Sequence, residues 1–124
     1  MVAPAPLTGD QQRARRDALL AERSRVARQL AGLERTFDEL VAAADREPPD
    51  DEHDPDGTTA YERAQVTSLA AEARAHLDDL DRAHAAIERG DDAGVCQRCG
   101  EPIVTERLLA LPATRRCVGC AATR

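Results

Sequence analysis

Between Asp10 and Gly90 the apolar residues of this chain fall on two stripes with coiled-coil spacing, separated by a short proline-rich break. The first stripe runs Leu19, Val26, Leu30, Leu33, Phe37, Leu40 and Ala44, in a step of seven and then alternating steps of four and three. A repeat of about 3.5 residues keeps one face of a helix against a partner helix along its whole length. The second stripe runs Val66, Leu69, Ala73, His76 or Leu77, Leu80, Ala83 or His84, and Ile87, and Gly90 supplies a stop. Charged residues such as Arg28, Glu34, Arg35 and Asp38 fill the other faces.

Pro48, Pro49, Pro55 and Gly57 interrupt the pattern, because proline removes a backbone donor and disfavours a helical residue before it. Thr58 or Thr59 then caps the second helix, with Glu62 at capping-box distance from Thr59. Two helices of about 36 and 32 residues would each run roughly 50 Å at 1.5 Å per residue. A helical bundle or an intermolecular coiled coil could use the same stripes. Matched lengths and a short connection favour a hairpin closed within one chain. The expected fold is all-α: a disordered leader over 1–9, a long antiparallel coiled-coil helical hairpin over 10–90 with an acidic tip at 46–57, and a small C-terminal module over 91–124.

Composition argues against a thick core. The chain is 42% hydrophobic, but it has one Phe, one Tyr and no Trp, and alanine at several seam positions buries little area. Stability has to come partly from elsewhere, and the cysteines supply a source. Cys96 and Cys99 form one C-x2-C pair, Cys117 and Cys120 another, with 17 residues between the pairs. Each pair makes a tight knuckle whose two sulfurs converge on one ion, and four thiolates complete the tetrahedron that zinc prefers. Zinc binding to such a module contributes on the order of 10 kcal/mol near neutral pH. One structural Zn²⁺ is therefore expected at Cys96, Cys99, Cys117 and Cys120, with Gly100 and Gly119 suiting the knuckle turns. A redox pair, or a thiol switch that ejects zinc on oxidation, would use the same residues.

Four thiolates around one Zn²⁺ leave a formal charge of −2, which Arg98, Arg115 and Arg116 are placed to offset. A site filled by four sulfurs leaves no position for water or substrate, so metal-assisted hydrolysis is disfavoured. His53, His76 and His84 have no nucleophile beside them, and Ser24 and Ser68 lack an activating context. No catalytic residue is assigned, and the chain is not expected to be an enzyme.

The net charge of −6 is unevenly spread. Segment 10–45 is neutral and 46–57 carries −5, whereas 58–90 carries −2 and 91–124 carries +1. All seventeen basic side chains are arginines. Such a balance disfavours sequence-specific DNA as a direct partner. The opening MVAPAPLTGD lacks the features of a secretory signal and no apolar run reaches the roughly 18 residues of a membrane span. A cytoplasmic location with no membrane association is expected, where paired cysteines serve as metal ligands more readily than as disulfides.

The stretch GVCQRCGEPIVTERLLALPATRRCVGCA closely resembles the zinc finger of the DksA/TraR family of bacterial transcription regulators. Gly94, Cys99-Gly100, Ile103, Arg107-Leu108, Ala110 and Pro112 fall where that family's finger carries them, so Gly100, Arg107 and Pro112 are expected to shape the finger. A helical hairpin directly before the finger is also the family's architecture. The resemblance implies a regulator that binds RNA polymerase, inserting the hairpin into its secondary channel so that acidic tip residues approach the catalytic magnesium. Asp51 and Asp54 have the Asp-x-x-Asp spacing of the best-known tip motif, and Asp54-Pro55-Asp56 matches other members' tips as well. Asp51, Asp54 and Asp56 are the candidate tip residues. Members that bind guanosine tetraphosphate carry basic residues at the positions of Leu111 and Ala121, so the resemblance does not extend to that contact. The expected state is a monomer; the competing reading is a zinc-dependent adaptor whose coiled coil pairs with another helical protein.

Overall fold

The computed structural model describes residues 7–46 and 55–123. Among the described residues four helices follow in order: α1 (Gly9–Arg46), α2 (Pro55–Glu88), α3 (Thr105–Ala110) and α4 (Val118–Ala122). Among the described residues there is no strand, only an isolated antiparallel bridge between Val95 and Pro102. None of these helices is long and apolar enough to cross a membrane.

The start of α1 corrects the expectation of a disordered leader through residue 9. The Gln11 N–H donates to Thr8 Oγ1 at 3.1 Å, and the Thr8 N–H donates to Gln11 Oε1 at 2.9 Å. This reciprocal capping box satisfies two donors at the helix end and orders Leu7 and Thr8. Its signature, Thr-x-x-Gln, is present in the sequence about three turns before the apolar stripe begins at Leu19.

The start of α2 corrects a second expectation. The helix begins at Pro55, so Thr58 and Thr59 lie inside it rather than capping it. Proline suits a first helical position, since its fixed φ is already helical and the missing N–H would have no partner there. At the other end the Asp91 N–H donates to the Ala86 carbonyl at 2.8 Å and the Gly90 N–H to the Ile87 carbonyl at 3.0 Å. That pair of bonds, with Gly90 at φ 77°, is a Schellman stop.

The chain divides into two compact units, Met1–Ser24 with Asp78–Arg124, and Arg25–Leu77. In the first, Leu19, Leu80 and Ala83 are buried between α1 and α2. Arg16 faces Glu88 at 3.9 Å and Arg23 pairs with Asp81, so the two helices run antiparallel. These ion pairs are exposed and set register more than stability.

In the second unit Val26, Ala70 and Ala73 are buried, and Arg74 Nη2 donates to Glu34 Oε1 at 3.1 Å. Here the seam of α2 differs from the reading above. Ala70 is buried while Leu69 is 40% exposed. The sequence Val66, Ala70, Ala73, Leu77, Leu80 keeps the alternation of four and three, whereas a step of three to Leu69 leaves the stripe on its flank. Phe37 is only partly covered; it lines an open groove with Leu33, Val66 and Ala70.

Candidate metal centre

The first cysteine pair sits on a short turned-back segment. The Cys96 N–H donates to the Glu101 carbonyl at 2.8 Å, and the Ile103 N–H closes the segment onto the Gly94 carbonyl at 2.9 Å. At the bend the Gly100 N–H donates to the Cys96 carbonyl at 3.0 Å, with Gly100 at φ 77°. The second pair occupies a helix start. Cys117 is the N-cap of α4, and its sulfur accepts the Cys120 N–H at 3.4 Å. A sulfur used as a cap is thereby oriented toward its neighbour in the C-x2-C pair.

The stretch between the pairs joins them. From Gln97 the N–H donates to the Arg115 carbonyl at 2.8 Å, tying one knuckle to the lead-in of the other. The Arg116 carbonyl, next to Cys117, accepts from Arg107 Nε at 3.0 Å and from Thr114 Oγ1 at 3.1 Å. Leu108 of α3, Ile103 and Cys96 form a buried cluster, with Leu7, Cys117 and Cys120 packed partly against it.

All four sulfurs lie within 4.8 Å of one another, and Cys99 and Cys117 are 3.7 Å apart. Zinc–sulfur bonds of about 2.3 Å in a tetrahedron place sulfurs about 3.8 Å apart, so the cluster has the dimensions of a four-thiolate zinc site. Its electrostatics point the same way. Backbone N–H groups of Cys117 and Cys99 are aimed at Cys96 and, against the effect of burial, bring its pKa down to about 6. The Cys117 sulfur beside Cys120, together with burial, pushes the Cys120 thiol up to about 12. Sulfurs sharing one small space cannot all ionise unless a cation shares it, and a divalent ion bound there would hold them as thiolates. The donor set therefore fits zinc.

Two arginines near the cluster, Arg98 and Arg107, hydrogen-bond to other groups. Arg98 Nη1 reaches Thr123, meeting its Oγ1 at 2.9 Å, and Arg107 holds the Arg116 carbonyl. Pro112 is buried. Its carbonyl accepts from Arg15 Nη2 at 3.2 Å and from Arg15 Nε at 3.3 Å. Sequence reasoning missed Arg15. Its side chain is 1% exposed and its guanidinium meets both carboxylate oxygens of Asp92, at 2.8 and 3.0 Å. Burial pushes the Asp92 carboxyl up, but hydrogen bonds from Arg15 and the Gly94 N–H, with the charges of Arg15 and Arg115, outweigh it and hold the carboxyl below its ordinary range.

Asp51 and Asp54 of the expected tip, and His53, lie outside the described residues. Asp56 belongs to the first turn of α2, but its side chain is likewise outside them.

Residues 91–124 match the family model of the prokaryotic dksA/traR C4-type zinc finger. Over 103 residues the chain is 35% identical to an uncharacterized protein of Aquifex aeolicus (strain VF5), a match spanning 83% of this chain and 68% of that one. The chain belongs to the DksA/TraR family. It is also similar to the solved structure of transcription factor DksA2 from Pseudomonas aeruginosa, at TM-score 0.75 and 27% identity, covering 91% of this chain and 81% of that one. In keeping with the DksA/TraR family, the chain is helical with a four-cysteine cluster that fits zinc near its C-terminal end.

Proposed function

We propose that this chain is a non-enzymatic regulator of transcription initiation that binds RNA polymerase through its secondary channel, with the acidic segment 46–57 approaching the polymerase active site. The observation that carries the proposal is membership of the DksA/TraR family, joined to a structural likeness to a transcription factor across 91% of the chain. A segment carrying −5 is suited to a basic channel and to perturbing a metal or its ligands. Asp51, Asp54 and Asp56 are the residues assigned to that step. The same charge opposes free DNA, whose phosphates would repel it.

In this reading one zinc ion is held by the thiolates of Cys96, Cys99, Cys117 and Cys120 and is structural. When bound, it neutralises the crowded sulfurs and fixes the two knuckles. Gly100, Arg107 and Pro112 shape the finger around them: Gly100 at the first bend, Arg107 on the second knuckle's lead-in, Pro112 through its carbonyl. The working form is a cytoplasmic monomer of 13.4 kDa.

Retention on immobilised core RNA polymerase tests the proposal. The chain should be retained at low micromolar concentration and displaced by a ligand that occupies the secondary channel. No retention at saturating protein would overturn it. The partly covered Phe37 and the exposed Leu69 favour a second reading, a zinc-dependent adaptor that pairs with another helical protein. An obligate dimer in solution would support that reading, and a monomer the first.

A further inference from the structure

The first turns of α1 hold both cysteine knuckles at once. Leu7, immediately before the Thr8 cap, packs against the buried cluster of Cys96, Ile103 and Leu108, the same cluster that Cys117 and Cys120 pack against. Its fit there is close: a Cβ placed on Gly94 would lie 3.1 Å from Leu7 Cδ1. One turn on, Gln12 Nε2 donates to the Asp92 carbonyl at 2.8 Å. Arg15 then grips the Asp92 carboxylate with two nitrogens and the Pro112 carbonyl with Nη2 and Nε.

Asp92 lies four residues before Cys96, and Pro112 five before Cys117. The helix therefore reaches the lead-in of each knuckle separately. Contacts within the finger, from Gln97 to Arg115 and from Arg107 to Arg116, also join them, but those are peripheral and at or near the surface. The Arg15 clamp is buried, where an unmade hydrogen bond costs most.

We propose that Arg15 and Leu7, neither of them a metal ligand, are retention residues for the zinc: they fix the two knuckles relative to each other, so the ion leaves only after the first turns of α1 have lifted away. The inference rests on the four-cysteine zinc reading above. A ligand pair on one knuckle can open only if that knuckle moves from the other, and the clamp spans that movement. Leu7 adds apolar packing against the cluster that holds Cys96, which slows entry of water and of competing chelators.

The test follows zinc release from the full-length, zinc-loaded chain into excess chromogenic chelator, for the unaltered protein and for Arg15→Gln, Leu7→Ala and Val26→Ala. Each variant is compared at a temperature where its helical ellipticity equals that of the unaltered chain. Arg15→Gln should release zinc about tenfold faster or more, from loss of buried charge-assisted bonds, and Leu7→Ala about threefold faster. Val26→Ala, which removes a buried side chain of the other unit, should release at the unaltered rate. Should Arg15→Gln fail to fold, Leu7→Ala decides alone. Equal rates in the altered and unaltered chains overturn the proposal, as does an equal acceleration by Val26→Ala, which would mean that release follows general loosening. If the unaltered chain carries no zinc after purification from zinc-supplemented cells, the metal reading itself fails, a result distinct from either.

Discussion

Arg15, on the second turn of α1, is buried with both ends of its guanidinium committed to the carboxylate of Asp92, 77 residues away in sequence. The pair closes the foot of the helices onto the lead-in of the first cysteine knuckle, and the Pro112 carbonyl extends the same arginine to the second. A bidentate arginine pair has a planar, fixed geometry, so it specifies one arrangement where an apolar contact would allow several.

Breaking this pair from one side should be worse than removing it whole. Arg15→Ala leaves the Asp92 carboxylate half-buried without its partner and should cost about 3–5 kcal/mol in urea unfolding. The double change Arg15→Met with Asp92→Leu removes both charges and should cost clearly less than the sum of the single changes. Strict additivity of the singles would contradict the coupling.

Acid should weaken the fold through Asp92. Its pKa is held below its ordinary value in the folded chain, so its contribution is fully present above the unfolded value and is lost as pH falls through the folded one. Stability from this group should stay flat between about pH 7 and 5 and decline below about pH 4. Asp92→Asn should be less stable at pH 7, with a gap from the unaltered chain that narrows below pH 4 in thermal denaturation. A gap independent of pH would show that the charge of Asp92 does nothing.

Two glycines with nearly the same backbone should respond differently to alanine. Gly94 and Gly100 have φ of 80° and 77°, where any Cβ costs about 1–2 kcal/mol. At Gly100 the Cβ would meet open space, but at Gly94 it would lie 3.0 Å from Leu108 Cδ1 as well as against Leu7. Gly94→Ala should therefore destabilise by more than Gly100→Ala, adding about 1–3 kcal/mol for overpacking. Equal thermal midpoints would count against the packing of Leu7.

The seam of α2 gives a paired test at adjacent residues. Ala70→Asp places a charge at a buried position and should cost about 3 kcal/mol or more, whereas Leu69→Asp on the half-open flank should cost under about 1 kcal/mol. Circular dichroism through a urea titration reads both. The reverse order would restore the seam read from Leu69.

Much of this could be read from the residues. The two long helices follow from a 3.5-residue stripe, and the cysteine cluster from spacing alone, because both signals are periodic or chemically singular. The α2 register slipped at Leu69 because hydrophobicity ranks leucine above alanine, while geometry selects the position four residues after Val66. The early start of α1 was legible in Thr8 and Gln11 but is a polar signal, invisible to an apolar count. Arg15 was the least legible. Seven arginines fall between Asp10 and Asp45, and only its place one turn before Leu19 puts it on the buried face. Its partners Asp92 and Pro112 come together only once the finger has folded, which no local pattern encodes.

The central claim is that an acidic segment of this chain acts at the polymerase active site. Its most direct test is the lifetime of open promoter complexes formed by purified RNA polymerase, measured with the unaltered chain and with Asp51→Asn/Asp54→Asn/Asp56→Asn at concentrations where both saturate the enzyme. The account predicts that the unaltered chain changes the lifetime several-fold while the triple variant binds equally well and leaves it near that of polymerase alone. The same lifetime with both proteins, or no change with either, would contradict it.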